Sequence, residues 1–492
     1  MIGFSMVCGL LYTPWMIDTI GKGDYGLYVL VTSFLTYFTV DFGLFNAVNK
    51  VVARCRAQND IAKEQQVIGM ATKIYLIMDC FVCLAVIVAY FFLDRLFDNL
   101  GVEELAKFKN VYLIAGLFCV LSFPFNFLKG VYSAHELFVE SKLFDFALKI
   151  GTICFTVLLL YLDFGLYSLV LVHSFMPFII NVSKVFLLNK KGIRGNYKGW
   201  DKVIVKEIFS VSLWLFGAVV AELFINNISP TILAARSTTT QVAVFGIAWT
   251  LYGYIYSFSQ VINGMFLPKV TELHVQGASD VIHQLCYRVA RIILYTTGFV
   301  ALGFIAVGKD FIMAWVGPDF INAYYVAVML LVPQLLLATV HVEQSYLIVA
   351  DKIKFYTYTI GLSALITIFL SIWLSDCYGA IGVGLSIFVS TLFVLFGGRL
   401  LVYHRYLKFS IKHYIVNTVS VYFSLLLILV IYFVIIKFAS VEFSNAWITF
   451  FARSCILVSL YLIAIPFVLN KQEKQLIWGN LKLKRDNTKC NN

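Results

Sequence analysis

Fourteen near-continuous apolar runs, each roughly 20 residues long, set the terms for this chain. They fall at about 1–20, 26–49, 70–93, 109–131, 143–162, 166–188, 207–229, 242–266, 287–307, 323–349, 355–374, 379–403, 415–437 and 446–469. A run of that length crosses the hydrocarbon core of a bilayer as one helix. In hydrocarbon every backbone N–H and C=O must be bonded internally, so a spanning segment is a helix or part of a closed barrel. The runs do not alternate apolar with polar as barrel strands do. The fold class is therefore an all-α polytopic membrane protein with about 14 transmembrane helices. Composition agrees: 61% of the 492 residues are hydrophobic and 13% charged, against about 25% charged in a soluble domain.

The net charge of +11 would point a soluble protein toward nucleic acid. Here it reads as topology, because basic loops stay in the cytoplasm. With bases in the first or last turns of a run counted in the adjoining joint, joints after even-numbered runs, with the tail, hold 28 Lys and Arg and joints after odd-numbered runs hold seven; Lys73, Lys149 and Arg453 are assigned to the runs themselves. Both termini are thus expected inside, and the clearest inside joints are Lys50–Lys63, Lys184–Lys206, Arg399–Lys412 and Lys471–Lys489. The outer joints are short, with no room for an extramembrane domain. The first run begins at residue 1 with no basic segment before it, so it does not read as a cleaved signal peptide, and a short cytoplasmic leader is expected to be missing or very small. The ten Cys are scattered, mostly inside apolar runs, without metal-ligand spacing.

The second run carries a polar face. Tyr25, Tyr28, Thr32, Thr36, Thr39, Gly43, Asn46 and Lys50 follow at spacings of three and four, which places them on one side of a helix. The eighth run carries another: Trp249, Tyr252, Tyr256, Gln260 and Asn263. A shift of about 217 residues brings Pro14 next to Pro230, Tyr28 onto Phe245, Thr39 onto Tyr256 and Asn46 onto Asn263. Six runs per unit is an even number, so the repeat is parallel, about an axis along the membrane normal. The expected organisation is a six-helix bundle over 1–206, a second over 207–412, two further helices over 413–470 and a basic cytoplasmic tail over 471–492. Taken alone, each stripe is explained by helix packing through small and hydroxyl residues. Their recurrence at matching places favours two faces meeting across a shared cavity.

A charge at mid-bilayer costs about 2.5–3.5 kcal/mol on insertion scales, so each one needs a partner or a watery cavity. Asp41, Asp79, Asp145, Lys149, His173, Glu222, His341, Glu343 and Arg453 lie deep; Arg288, Arg291 and Lys184 lie near run ends, where they can snorkel. Asp145 and Lys149 share a face in the favourable acid-before-base order: either a self-neutralised pair or a cation available to an anionic substrate. Arg453 is either a bidentate phosphate ligand or a salt bridge holding its helix to the core. Asp41, Asp79, Glu222, His341 and Glu343 are candidates to carry a coupling ion, or they hydrogen-bond between helices. No P-loop, His-Glu-x-x-His, paired Cys-x-x-Cys or Gly-x-Ser-x-Gly elbow is present, so no catalytic residues, metal or cofactor are assigned.

Pro14, Ile20-Gly21, Tyr25-Gly26-Leu27-Tyr28, Asp41-Phe42-Gly43-Leu44 and Asn49-Lys50-Val51-Val52-Ala53-Arg54 resemble the opening signature of Wzx-type flippases of O-antigen and oligosaccharide repeat units. These belong to a superfamily that also holds multidrug and toxin extrusion transporters and the lipid II flippase. The resemblance implies a polyprenyl-pyrophosphate-linked oligosaccharide moved from the inner to the outer leaflet of a bacterial cytoplasmic membrane, by ion-coupled alternating access, for surface polysaccharide biosynthesis. A polysaccharide polymerase and chain-length proteins are candidate partners. Lys149 and Arg453 suit the pyrophosphate, and Tyr28, Thr36, Asn46, Tyr252, Tyr256, Gln260 and Asn263 suit the sugars. The rival readings are an exporter of cationic drugs on the same fold and a membrane-bound polysaccharide polymerase.

Overall fold

The computed structural model describes residues 2–40, 43–209, 213–264, 266–350, 352–439 and 443–468. Asp41 and the basic tail lie outside the described residues. Among these residues there is no strand. In chain order the helices are α1 (Ile2–Ile20), α2 (Lys22–Thr36), α3 (Leu44–Ala57), α4 (Ile61–Leu96), α5 (Val102–Ser122), α6 (Leu128–Ala134), α7 (Phe138–Tyr161), α8 (Gly165–Lys190), α9 (Lys202–Ile208), α10 (Leu213–Arg236), α11 (Thr239–Gly264), α12 (Leu267–Val275), α13 (Ser279–Trp315), α14 (Ile321–Ala338), α15 (His341–Val349), α16 (Ile353–Val389), α17 (Gly398–Leu407), α18 (Ile411–Ala439) and α19 (Ala446–Val468). A π-helical stretch, Ser390–Gly397, joins α16 to α17.

Ten helices are long and apolar enough to cross a bilayer, or eleven if the bent pair α2–α3 is one span. Among the described residues the fourteen expected runs fall mainly on helices, and the lower count has three sources. Lys354–Leu407 is one 54-residue element that carries two of the runs. It folds back at Gly379, where φ is 54° and ψ −130°. That left-handed backbone suits glycine, and the amide of Ala380, freed by the turn, donates to Gln241 Oε1 at 3.0 Å. The apolar part of α1, Met6–Ile20, is shorter than a span. In α11 the side chains beyond Ser257 lie outside the described residues.

Contacts group the chain into two compact units, Met1–Thr250 with Lys352–Leu395, and Leu251–Asp351 with Phe396–Asn492. In the first unit, α3, α4, α6 and α9 enclose a core of Val48, Val52, Tyr75, Phe123, Val131 and Ile208 at the basic end of the bundle. At its other end α2 seats against the start of α11. A Cβ on Gly26 would lie 2.0 Å from the carbonyl oxygen of Thr239, and one on Gly246 would lie 2.6 Å from Val29 Cγ2. Only glycine permits that approach, the usual device where helices pack without a hydrophobic drive. Thr239 Oγ1 donates to Glu104 Oε1 at 2.7 Å, Asn99 Nδ2 donates to the Ala235 carbonyl at 2.5 Å, and Tyr37 stacks on Phe224 with centroids 5.7 Å apart.

The second unit is built on α13, which packs against α14, α18 and α19 around Leu294, Leu302, Val421, Leu425, Tyr432 and Leu457. Arg453 of α19 meets Asp310 of α13, its Nη1 lying 2.9 and 2.8 Å from the two carboxylate oxygens. Both side chains are nearly buried, at 15% and 13% exposed. Arg291, expected near the surface, is buried and ties α13 to α18 through the Asn417 carbonyl and Ser420 Oγ.

Gly26→Val is expected to lower the thermal unfolding midpoint in detergent by an amount equivalent to about 1–3 kcal/mol, while Gly253→Ala, whose Cβ meets nothing within 4 Å among the described residues, does not lower it. Arg453→Met is expected to cost about 3–5 kcal/mol by stranding Asp310, and adding Asp310→Asn to recover part of the loss. Equal midpoints for Arg453→Met and the native chain would show that the ion pair holds nothing.

Candidate functional site

A cavity of 630 Å³ opens in the first unit among α2, α5, α6, α7 and α8. Its α2 wall is the threonine stripe: Thr32, Thr36 and Thr39 all line it. Each hydroxyl donates to a carbonyl one turn back, Thr32 to Tyr28 at 2.9 Å, Thr36 to Thr32 at 2.8 Å and Thr39 to Thr36 at 3.0 Å. A threonine has one O–H and two lone pairs. With the proton committed to the backbone, the stripe presents acceptors to whatever enters. Tyr28 does not line the cavity; its ring meets the edge of His173, centroids 5.2 Å apart, and His173 does line it. His173 Nδ1 lies 2.9 Å from the Leu169 carbonyl. A carbonyl only accepts, so Nδ1 carries the hydrogen, which leaves Nε2 of the neutral ring an acceptor. Pro177, also in the wall, has no N–H to donate to the His173 carbonyl.

The opposite wall and the basic end supply donors. Asn126 and Asn181 can both donate and accept, and Ser122, Ser133, Ser141 and Ser174 add hydroxyls. Phe118, Phe125 and Tyr132 give flat apolar faces. Among the described residues two cations reach the cavity, Lys129 from α6 and Lys184 from α8, with one carboxylate, Asp145 of α7. Lys184 is 13% exposed and its Nζ lies 3.7 Å from Asp145 Oδ1 and 6.0 Å above the Phe144 ring. Asp145 is shared with Lys142, at 3.4 Å. The lining set thus carries one more positive charge than negative. Its chemistry is that of an anion subsite beside a surface of hydroxyls, amides and aromatic rings.

The expected pair Asp145–Lys149 does not form. Lys184 and Lys142 take the carboxylate, because α8 and the first turns of α7 reach it first. Lys149 is exposed, with no ion pair among the described residues and no place in the cavity wall. Asn46 is exposed on α3, beyond the bend that ends α2. Arg453 faces Asp310 in the second unit. Sequence reasoning set Lys184 aside as a snorkelling residue and passed over Lys129. The signal for Lys129 was present, a lone base following Asn126 inside an apolar run.

The other singled-out residues lie elsewhere. In the second unit Tyr252 and Tyr256 stack, centroids 5.7 Å apart, and Tyr252 donates to Gln334 Oε1 at 3.2 Å. The side chains of Gln260 and Asn263 are outside the described residues. His341 Nδ1 lies 3.0 Å from Gln344 Oε1, which also accepts from Arg399 at 3.3 Å. Glu343 is fully buried, and beside the weakly donating thiol of Cys286 its carboxylate oxygens have no N–H or O–H donor among the described residues. In the first unit Glu222 Oε1 accepts from Tyr356 at 2.7 Å, and Asp79 lines a second cavity. No group of three or more His, Cys, Asp and Glu placed to hold a metal occurs among the described residues.

The fold is similar to solved transporters. The lipid II flippase MurJ in an inward closed conformation superposes with a TM-score of 0.66 at 16% identity, over 97% of this chain and 98% of that one. An inward-facing multidrug resistance MATE transporter of the MOP superfamily gives 0.59 at 13%, over 83% and 96%, and a eukaryotic MATE transporter gives 0.57 at 13%, over 85% and 95%. No curated protein sequence matches. The family model described as polysaccharide biosynthesis protein matches residues 1–274. That is more than half of the chain, which therefore belongs to the polysaccharide biosynthesis protein family, on a flippase and transporter fold.

Proposed function

We propose that this protein flips a polyprenyl-pyrophosphate-linked oligosaccharide from the inner to the outer leaflet of a bacterial cytoplasmic membrane, by alternating access. The observation that carries the reading is the 630 Å³ cavity of the first unit, with acceptors on one wall and Lys129 and Lys184 at its basic end. Sugar hydroxyls would donate to Thr32, Thr36 and Thr39, whose own protons are committed to the backbone. The amides of Asn126 and Asn181 would bridge neighbouring hydroxyls, and the rings of Phe118 and Tyr132 would pack on sugar faces. The pyrophosphate would be held by Lys184 and Lys129, with Asp145 keeping Lys184 in place while the cavity is empty. Charge-assisted contacts of this kind contribute about 1.5–3 kcal/mol each.

The charge balance among the described residues argues against an exporter of organic cations, for which two lysines against one aspartate is the wrong sign. In the same reading the basic joints hold both termini inside. Coupling to an ion gradient falls to the deep acids and histidine, Asp79, Glu222, His341 and Glu343, with Asp41 beyond the described residues. Of these Glu343 has the strongest support, since a fully buried carboxylate with no ion pair among the described residues, and the weakly donating Cys286 thiol beside it, is costly to keep charged.

The double variant Lys129→Ala with Lys184→Ala is expected to slow transfer of a fluorescent lipid-linked oligosaccharide across reconstituted vesicles at least tenfold, and to cause that lipid to accumulate on the inner leaflet in cells. Lys149→Ala, an exposed site, is expected to transfer at close to the native rate. Normal transfer by the double variant would sink the anion subsite. Accumulation on the outer leaflet in cells lacking the protein would instead identify a polymerase. Thr36→Val, which removes an acceptor while keeping the shape, is expected to weaken binding of the oligosaccharide but not of a lipid pyrophosphate bearing no sugar.

A further inference from the structure

A second cavity, of 420 Å³, runs beside the first between α4, the α5–α6 connection and α8. Phe125 and Leu128 belong to both walls. Its character is different. Leu76, Leu121, Phe178 and Val185 make it a hydrocarbon groove, and Leu76 and Leu121 are exposed, so it opens on the face that a membrane helix turns to lipid. Along α4 it extends from Ile68 to Asp79. At 1.5 Å per residue that is about 16 Å, close to half of the ~30 Å hydrocarbon core. One end therefore reaches the basic surface and the other stops near the bilayer midplane, where Asp79 stands at the end of the groove rather than along it.

The surface end is a built rim. The loop after α8 is fastened to α4: Asn196 N donates to the Gln65 carbonyl at 2.7 Å, Lys73 Nζ donates to the Gly199 carbonyl at 2.6 Å, and Gly69 admits the Asn196 carbonyl, which a Cβ would meet at 2.0 Å. Gly195 and Tyr197 of this loop line the groove. Arg194 and Lys198, which flank them, are exposed, as is Lys190. The neighbouring charges are engaged elsewhere, Lys191 by Glu140 at 2.5 Å and Asp201 by the α9 amide of Val203 at 2.8 Å. A one-leaflet hydrocarbon slot under a predominantly basic rim is complementary to an anionic lipid, since basic pockets between membrane helices take anionic lipid head groups.

We propose that this groove binds an anionic phospholipid of the surrounding bilayer, its acyl chain between α4 and α8 and its phosphate at Arg194, Lys198 and the Tyr197 hydroxyl. The assignment does not depend on what the first cavity carries. Through Phe125 and Leu128 a seated lipid would brace the wall that the two cavities share.

The test uses the full chain in nanodiscs of phosphatidylcholine with or without phosphatidylglycerol, with retained lipid counted by native mass spectrometry. One phosphatidylglycerol is expected to be retained in preference to phosphatidylcholine. Arg194→Ala and Lys198→Ala are each expected to weaken retention about five-fold. Leu121→Trp, which fills the groove, is expected to abolish it, and should that variant not fold, the two exposed charge variants carry the test alone. Absence of a preference for phosphatidylglycerol, or retention unchanged in the charge variants, overturns the proposal. Displacement of the bound lipid by undecaprenyl phosphate at equal concentration also overturns it, by assigning the groove to a carrier lipid.

Discussion

Everything in this molecule depends on the absence of water around its backbone. A peptide group in hydrocarbon has no partner but another peptide group or a neighbouring side chain, which is why helices account for the fold of the described residues. The turn at Gly379 shows the cost and its remedy. The chain reverses within one 54-residue element, and the amide that loses its helical partner takes Gln241 Oε1 instead. Helix contact follows the same logic. With apolar lipid on every side, packing rests on close approach rather than on burial. Gly26 against Thr239 and Gly246 against Val29 make α2 and the start of α11 touch more closely than any side chain would allow.

Charge obeys a related constraint, since an ion taken out of water must find an opposite charge or a polar cavity. Arg453 and Lys184 represent the two outcomes. Arg453 has both oxygens of Asp310 within 3 Å and serves to join α13 to α19. Lys184 has half of a carboxylate at 3.7 Å, shared with Lys142, and it borders open space. A firmly paired cation has little left to offer a ligand, whereas one that is held loosely beside a cavity can exchange its partner. By that distinction Lys184, not Arg453, is the cation that supports the proposed anion subsite at the basic end of the first unit.

The threonine stripe was the most legible part of the site. Its three-and-four spacing gave the face, and that face does border a cavity along Thr32, Thr36 and Thr39. Near its start, Gly26 and Val29 meet Thr239 and Gly246 of α11, so α2 packs at one end and lines a cavity at the other. Helix packing and a cavity wall thus occur on one helix, at different depths. The cations were much less legible. Lys149 shares a helical face with Asp145, yet the carboxylate is taken by residues at i−3 and on another helix. Helical periodicity ranks partners within one helix only; it is silent about a lysine arriving from α8.

The amino-acid sequence by itself determined that this chain is a bundle of membrane helices, where those helices lie, and which ones carry polar faces. Those properties are local, set by the length of an apolar run and the period of the helix, and the lack of solvent leaves no alternative. Tertiary structure alone decided which side chains share a cavity. Lys129, Asp145, His173 and Lys184 come from three helices and are separated by up to 55 positions. Their meeting depends on how α6, α7 and α8 cross, and that geometry is fixed by packing between helices, which no single helix encodes.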